Sequence, residues 1–342
     1  MYSFVNDYSE GACKEVMDNL LKTNYLQTPG YGHDEFCAKA QDMIRDIIGN
    51  KKADVHFIPG GTPANVLAIT LLKSYEAVIA TDNGHINTHE TGAVEATGHK
   101  ILQVRGVNGK VTPKEIEEVV LDHTDEHVTL PKMVFISNSS EFGTIYSKQE
   151  LTDISNMCKK YGLYLYMDGA RLASALTSKE NDLTLKDISE LVDIFYIGGT
   201  KNGALLGEAM VIINDDLKPN FRFLLKQHGS MLAKARIIGI EFVTLFENNL
   251  YFRLAENANN MAQQLNALFK ANDIKMFIES STNQIFPILD NELIAKLRTK
   301  YLLGDWCKYD DTHTVIRFVC SWNTSQENID AFKQDFMAFK GE

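Results

Sequence analysis

Short apolar runs that alternate with helix-period segments between residues 35 and 215 constrain the fold of this chain more than any other feature. The runs are rich in β-branched and aromatic residues and lie at 55–59, 77–81, 100–104, 133–137, 163–167, 194–197 and 209–213. Helix-period stretches separate them at 64–74, 112–120, 147–161 and 185–191. Continuously apolar strands that alternate with helices are typical of a mainly parallel sheet covered on both faces. The sequence therefore predicts an α/β domain with a sheet of about seven strands.

A different pattern follows after about residue 240. A long helical stretch at 236–269 precedes shorter strand candidates at 276–280, 284–288 and 314–319, and a closing helix is expected at 326–339. A single core rarely grows beyond about 250–300 residues, and this chain is longer. We therefore predict a large domain over residues 1–240 and a smaller α+β domain over 241–342, with the N-terminal segment able to pack on the smaller one.

Charge and cysteine usage exclude several classes of protein. The net charge of −11 argues against a general nucleic-acid binder, because phosphate contacts need a basic face. The sequence has no secretory signal at its N-terminus and no apolar run that approaches the roughly 20 residues of a membrane span. The cysteines are scattered without a CxxC pair, which indicates a reducing cytoplasm and neither disulfides nor a metal site. A reactive thiol remains an alternative to buried free cysteine at Cys13, Cys37, Cys158, Cys307 and Cys320.

A glycine-rich turn follows the first predicted strand. In Gly60-Gly61-Thr62-Pro63-Ala64-Asn65, the glycines allow a ligand to approach the backbone closely. Thr62 is a favourable N-cap and Pro63 a favourable first helical residue. The helix that begins here would offer N–H groups and a positive dipole to a phosphate. A plain strand-to-helix turn is the alternative interpretation.

Asp168 stands at the end of a predicted strand, in Tyr166-Met167-Asp168-Gly169-Ala170-Arg171. A carboxylate at the end of an apolar strand is costly unless it is paired. One useful partner is a protonated pyridine nitrogen, which the carboxylate keeps cationic. Arg171 can reach the same rim. The alternative is a helix-capping aspartate followed by a surface arginine.

Lys201 follows another predicted strand, in Gly198-Gly199-Thr200-Lys201-Asn202-Gly203. A lysine between small residues, aimed into a cleft, meets the requirements of Schiff-base chemistry, in which the neutral amine is the nucleophile. A solvated loop lysine is the alternative. His85 follows the strand at 77–81 and could stack on a flat cofactor, although a structural histidine is the alternative. Arg317 lies inside an apolar strand and could bind a substrate carboxylate or form a buried ion pair.

These residues, taken in order, resemble the threonine aldolase and β-eliminating lyase family of fold-type-I pyridoxal-phosphate enzymes. The resemblance runs over almost the full length of the chain. It also includes the segments 6–12, 31–34, 141–144 and 317–322. It implies an aspartate-aminotransferase-like fold, a pyridoxal 5'-phosphate cofactor, and homodimers or homotetramers with active sites at the subunit interface.

The resemblance also implies roles for individual residues. Lys201 would form the Schiff base, Asp168 would pair with the pyridine nitrogen and His85 would stack on the cofactor ring. The remaining cofactor contacts would come from Gly61, Thr62, Arg171 and Thr200. The amino-acid substrate would be bound by Asn6, Tyr31, Arg171 and Arg317, with Tyr31 able to reach the site of a neighbouring subunit.

Two departures affect the expected chemistry. Many family members have serine where Asn6 stands, and others have a histidine in the loop that reads Ser139-Ser140-Glu141 here. The base for bond cleavage is therefore open between His85, a water molecule and a residue such as His33. The expected reaction is cleavage of L-threonine, L-allo-threonine or a related β-hydroxy-α-amino acid to glycine and an aldehyde. Aminotransferase or β-eliminating lyase activity is the first alternative, and a catalytically silent cofactor-binding protein is the second.

Overall fold

A seven-stranded sheet with helices on both faces forms the centre of the protein. The computed structural model describes residues 1–341. The strands, in chain order, are β1 (Tyr2–Ser3), β2 (Asp54–Ile58), β3 (Glu76–Thr81), β4 (Lys100–Val104), β5 (Leu130–Ser137), β6 (Tyr164–Asp168), β7 (Ile194–Gly198), β8 (Glu208–Ile212), β9 (Gln284–Ile285), β10 (Ile288–Asp290), β11 (Tyr301–Leu302), β12 (Gly304–Lys308) and β13 (His313–Val319).

The α-helices, in chain order, are α1 (Lys14–Thr23), α2 (Glu35–Ile47), α3 (Gly61–Ile69), α4 (His85–Thr88), α5 (Pro113–Asp122), α6 (Lys148–Tyr161), α7 (Leu172–Leu176), α8 (Leu185–Leu191), α9 (Phe221–Gln227), α10 (Arg236–Phe246), α11 (Leu250–Ala271), α12 (Asn291–Leu297) and α13 (Gln326–Gly341). Short 3₁₀ turns lie at Glu95–Thr97, Asp215–Leu217 and Glu247–Asn249. No helix among residues 1–341 has both the length and the apolar character needed to cross a membrane.

The large sheet has the strand order β2-β8-β7-β6-β5-β3-β4. Neighbours from β7 through β4 pair in parallel, whereas β8 runs antiparallel to both β7 and β2. The sheet is thus mainly parallel, as the sequence predicts, and each of the predicted strands is present. The fold class is confirmed.

Alternate residues of each central strand enter different hydrophobic clusters. In β3, Ala77 and Ile79 pack on one side of the sheet, whereas Val78 and Ala80 pack on the other. Side chains of a strand point alternately to its two faces, so both faces of this sheet are covered. This explains why the strands read as continuous apolar runs.

The C-terminal part forms a second, smaller sheet in which β13 pairs with β9, β10 and β12. The N-terminal strand joins this part, because β1 pairs with β11 and Phe4 packs in the same cluster as Phe269, Phe318 and Phe332. The N-terminal segment therefore lies against residues from the C-terminal third. The division into domains at residue 240 stays a prediction.

Three predicted elements differ in the structure. The helix expected at 236–269 is two helices, α10 and α11, separated by Asn248 and Asn249 with left-handed φ values of 54° and 57°. The segment 276–280 forms only one isolated bridge instead of a strand. The strand expected at 284–288 is divided into β9 and β10 around Pro287, whose nitrogen carries no hydrogen to donate to a ladder.

Candidate active site

A cavity of about 330 Å³ opens at the carboxyl-terminal edge of the large sheet. All the predicted site residues except Asn6 and Tyr31 line it, namely Gly61, Thr62, His85, Asp168, Arg171, Thr200, Lys201 and Arg317. They meet there because parallel strands end at the same edge, where ligands of open α/β sheets bind. Residues separated by more than 250 positions in sequence thus form one site.

The glycine-rich turn forms the N-terminus of α3. The predicted N-cap, Thr62, was wrong: the helix begins at Gly61, and Gly60 is the N-cap with φ 151°. A conformation with this φ favours glycine, so the cap position could not be filled by a threonine without strain. A Cβ at Gly61 would lie 3.1 Å from the Tyr196 hydroxyl oxygen. The first N–H groups of a helix have no partner within it, so this turn offers donors to an anion.

Asp168 is buried and held by three donors. Its Oδ1 accepts hydrogen bonds from the Tyr196 hydroxyl at 2.5 Å and the Ala170 N–H at 2.9 Å. Its Oδ2 accepts one from Asn65 Nδ2 at 3.1 Å. The carboxylate is 4% exposed, and these bonds fix its position at the base of the cavity. Asp168 is therefore a preorganised negative charge rather than the surface helix cap of the alternative interpretation.

His85 belongs to a network that also reaches Asp168. Its Nδ1 lies 2.8 Å from Glu90 Oε1, and the same oxygen accepts a hydrogen bond from Asn65 at 2.6 Å. Burial opposes the charged form of His85, but the hydrogen bond to Glu90 and the negative charge of Asp168 outweigh it and raise the pKa of His85. The His85 imidazole is thus oriented by a buried carboxylate and favours its protonated form.

Lys201 has the electrostatic environment of a reactive amine. Burial and the positive charge of Arg171 lower its pKa, although Asp7, Asp168 and Glu208 oppose this shift. Its Nζ lies 5.9 Å from the centre of the Tyr8 ring. A lowered pKa raises the fraction of neutral amine, which is the nucleophilic form.

The loop that carries Lys201 is closed at both ends. Gly199 N–H donates to Glu208 Oε2 at 2.7 Å, and Gly207 N–H donates to Thr200 Oγ1 at 2.9 Å. Burial raises the pKa of Glu208 to about 7. The loop therefore ends at a second buried titratable group, whose charge acts on Lys201.

The two arginines of the cavity have different partners. Arg171 donates to both carboxylate oxygens of Asp7, with Nε–Oδ2 and Nη2–Oδ1 distances of 2.7 and 3.0 Å. Arg317 donates to the Val5 carbonyl at 3.3 Å and lies over the Trp306 ring at 5.6 Å. Arg317 thus has no carboxylate partner among residues 1–341, whereas the charge of Arg171 is already compensated.

Asn6 and Tyr31 lie outside the cavity within this chain. The Asn6 side chain accepts hydrogen bonds from the Tyr8 N–H and the Ser9 hydroxyl, which makes it a turn residue. Tyr31 is 45% exposed and neighbours His33, which contacts Arg222. Their roles in binding substrate stay predictions, and His33 does not reach the cavity in the single chain.

The loop at 139–141 places a carboxyl where a histidine was expected. Glu141 lines the cavity, and its Oε1 accepts hydrogen bonds from the His85 backbone N–H and the Ser137 hydroxyl. Burial and the nearby Asp168 raise the pKa of Glu141. The Glu141 carboxyl therefore holds the backbone of His85 at the beginning of α4.

Several residues of the cavity were missed by the sequence analysis, namely Tyr8, His89, Glu208 and Trp306. His85 and His89 are four residues apart, a spacing that places two side chains on one face of a helix, and this was a usable signal for His89. Glu208 is the first residue of β8, which runs antiparallel to its neighbours. Its side chain therefore lies at the edge of the sheet where the parallel strands have their C-terminal ends. The cysteines at 13, 37, 158 and 320 are buried and free, and only Cys307 is exposed.

The polar groups that line this cavity fit a flat cofactor that carries a phosphate. A helix N-terminus without side-chain bulk, a buried carboxylate and an amine of lowered pKa surround one space. A helix N-terminus binds a phosphate, a carboxylate pairs with a protonated pyridine nitrogen, and a neutral amine reacts with an aldehyde. The arrangement therefore has the chemistry to hold pyridoxal 5'-phosphate.

Comparisons with known proteins agree with this arrangement. A family model described as beta-eliminating lyase matches residues 4–292. The low specificity L-threonine aldolase of Pseudomonas sp. (strain NCIMB 10558) is 34% identical over 98% of this chain and 97% of that protein. The solved structure of Leishmania major threonine aldolase is 47% identical, covers 99% of both chains and superposes with a TM-score of 0.98.

A more distant structure bears on the fold alone. A single mutant of Thermus thermophilus aspartate aminotransferase, 13% identical, superposes with a TM-score of 0.73 over 99% of this chain and 91% of that chain. The fold is therefore that of the fold-type-I enzymes.

Proposed function

The chain belongs to the beta-eliminating lyase family, and on that premise we propose that it is a pyridoxal-phosphate-dependent aldolase that cleaves L-threonine, L-allo-threonine or related β-hydroxy-α-amino acids. The products are glycine and an aldehyde. The observation that carries this proposal is the cavity in which Lys201, with its lowered pKa, shares one space with the buried carboxylate of Asp168 and with Arg317.

The cofactor would be held by residues from separate strands. Lys201 would bind it covalently, Asp168 would face the pyridine nitrogen and His85 would lie against the ring. Gly61, Thr62 and Thr200 would bind the phosphate. When bound, pyridoxal phosphate supplies an electron-accepting ring that stabilises negative charge on the α-carbon of an amino acid.

The protein's own contribution is orientation and proton control. Arg317 would bind the substrate carboxylate, because Arg171 is already paired with Asp7. Fixing the carboxylate decides which bond of the α-carbon stands in the orientation for cleavage. Tyr196 and Asn65 hold the Asp168 carboxylate in a fixed orientation. From that position it would keep a proton on the pyridine nitrogen that it faces. These roles follow from charge and hydrogen bonding.

Product analysis tests the reaction. Purified enzyme incubated with L-threonine should release glycine and acetaldehyde in equal amounts. Release of a keto acid without ammonia would favour an aminotransferase, and release of a keto acid together with ammonia would favour a β-eliminating lyase. Absence of turnover on threonine, allo-threonine and phenylserine would favour a cofactor-binding protein without catalysis. Each of those three results contradicts the aldolase assignment.

Borohydride reduction tests the covalent role of Lys201. The reduced holoenzyme should yield a single cofactor-labelled peptide, and that peptide should contain Lys201. The variant Lys132→Ala is the matched control, because Lys132 lies in β5 and donates to the Gly162 carbonyl, outside the cavity. Label on any other lysine would overturn the assignment.

We also propose that the protein assembles as a homodimer or homotetramer in the cytoplasm. The N-terminal region exposes several large apolar side chains, with Leu21 at 74%, Tyr25 at 91% and Leu26 at 52% exposure. Tyr31, which follows them, would then reach a neighbouring subunit's cavity. Analytical ultracentrifugation of the wild type and of Tyr25→Asp should show an assembly that the substitution weakens. A monomeric wild type would contradict the proposal.

A further inference from the structure

His89 is a second imidazole in the cavity, and it has no part in the proposed binding of the cofactor or of the substrate carboxylate. It follows His85 by one turn of α4, and the two rings are nearly parallel, with an interplanar angle of 19° and centroids 5.5 Å apart. It lines the same space as Lys201 and Arg317. Its side chain is accessible to solvent, and therefore to a substrate that enters the cavity.

The hydrogen bonds of Thr88 favour one tautomer of His89. The Thr88 hydroxyl has one hydrogen, and it donates to the Gly84 carbonyl with an Oγ1–O distance of 3.1 Å. The same Oγ1 lies 2.6 Å from His89 Nδ1. When the hydroxyl proton is directed to the Gly84 carbonyl, Nδ1–H is the donor in this contact. In that tautomer the lone pair of the neutral ring is on Nε2, which has no hydrogen-bond partner among residues 1–341.

His85 is unsuited to accept a proton. Its Nδ1 contacts Glu90, and that hydrogen bond together with the charge of Asp168 raises its pKa. His89 has the opposite environment: partial burial, and then the positive charges of His85 and Arg317, lower its pKa. At neutral pH, His89 is thus in its neutral form, which can act as a base.

We infer that Nε2 of His89 is the general base that takes the proton of the substrate's β-hydroxyl group, an inference that rests on the proposed aldolase function. The O–H bond breaks and its proton passes to Nε2. The oxygen's electron pair becomes the second bond of the aldehyde carbonyl as the Cα–Cβ bond breaks. The α-carbon keeps the electron pair of that bond and takes up one proton from solvent, which gives glycine. His89 then returns its proton to solvent.

Two reactions of the same enzyme separate this role from a structural one. Cleavage of L-threonine requires removal of the hydroxyl proton, whereas exchange of a glycine Cα hydrogen in D₂O requires the cofactor but has no hydroxyl. His89→Asn should lower kcat for threonine cleavage by about 10²- to 10⁴-fold, the usual contribution of a general base. Glycine exchange should stay within about threefold of the wild type, because the loss concerns the base alone.

The outcomes are distinct. Cleavage by His89→Asn within about threefold of the wild-type rate would overturn the inference, as would an equal loss of cleavage and glycine exchange. His127→Asn is the matched control, because His127 is an exposed surface histidine. If wild-type enzyme exchanges glycine but cleaves no β-hydroxy amino acid, the proposed function fails instead, and this inference fails with it.

A measurement independent of turnover reads the tautomer directly. In ¹⁵N spectra of histidine-labelled holoenzyme, the signal that disappears in His89→Asn should report a proton on Nδ1 and a bare Nε2. A proton on Nε2 would overturn the assignment, whatever the kinetics show. Imidazole added to His89→Ala should restore part of the cleavage rate, which a purely structural defect would not allow.

Discussion

Replacing Asp7 with asparagine should destabilise the protein strongly, because three donors converge on the two oxygens of this carboxylate. Arg171 Nε and Asn283 Nδ2 both donate to Oδ2, at 2.7 and 2.9 Å, and Arg171 Nη2 donates to Oδ1 at 3.0 Å. Asparagine provides one acceptor oxygen. In either orientation of its amide, at least one donor faces an NH₂ group and loses its partner.

The expected size of the effect follows from the burial of the pair. Asp7 and Arg171 side chains are 1% and 12% exposed, so solvent cannot replace the lost interaction. Removing one partner of a buried ion pair costs about 3–5 kcal/mol. With about 2.1 cal/mol/K of unfolding entropy per residue, 342 residues give about 0.7 kcal/mol/K, and the melting temperature should fall by about 4–7 °C.

Thermal melts of Asp7→Asn and wild type at equal cofactor saturation measure this change, since a ligand bound to the native state shifts the melting temperature. The control is Glu247→Gln, which removes an ion pair with Lys39 whose partners are 44% and 56% exposed. That variant should melt within about 1 °C of the wild type, because exposed pairs contribute little. An equally small change in Asp7→Asn would refute the reasoning.

The sign of the pH dependence provides a second check. Burial alone would raise the pKa of Asp7, but the charges of Arg171 and Lys201 lower it below its ordinary value. The stabilisation by this carboxylate is therefore present above the pKa of an unfolded aspartate, about 3.9, and is lost as the pH falls through the lower native pKa. The difference in stability between wild type and Asp7→Asn should narrow under those acidic conditions. A difference that instead grows on acidification would contradict the pairing.

Three further predictions concern the cavity. Arg317→Lys removes a planar donor pair and should raise KM for threonine by about 10- to 100-fold; a fall in kcat with KM unchanged would contradict a carboxylate-binding role. Trp306→Leu removes the ring beneath the Arg317 guanidinium and should raise the same KM by about 2- to 30-fold, measured by steady-state kinetics. Glu208 has a native pKa raised from 4.5 to about 7, so it binds more protons when folded than when unfolded and stability falls between those pH values. Glu208→Gln should reduce the slope of that fall in melts recorded from pH 5 to 8, while Glu141 and Glu241, whose pKa values are also raised, continue to contribute to it. An unchanged slope would refute the assignment.

The strands of the large sheet could be predicted because burial on both faces leaves an unbroken apolar run. The break between α10 and α11 could not, since the flanking segments share one helix period and the interruption consists of two asparagines in left-handed conformation. Asparagine tolerates that conformation, but nothing local requires it. Tertiary packing decides such a position.

The site was predictable where a residue follows a parallel strand, as Asp168, Lys201 and His85 do. The partners of these residues were not predictable, because they come from distant segments: Asp7 contacts Arg171 across 164 positions of sequence.

The Gly198-Gly199 pair has a packing role besides its place next to Lys201. A Cβ at Gly198 would lie 2.5 Å from the Ala170 carbonyl oxygen, so close backbone packing alone requires glycine there.

The pairing of β1 with β11 has a consequence for the order in which a nascent chain can mature. The Phe4 N–H donates to the Leu302 carbonyl, the Val319 N–H donates to the Phe4 carbonyl, and the Ser321 hydroxyl donates to Glu10. Residues of the N-terminal segment therefore find these partners only after about 300 further residues have been synthesised. Closing so long a loop carries a large entropic cost that only completed packing offsets. Until residues 301–321 have been synthesised, Phe4 lacks these partners, and the cavity lacks Trp306 and Arg317.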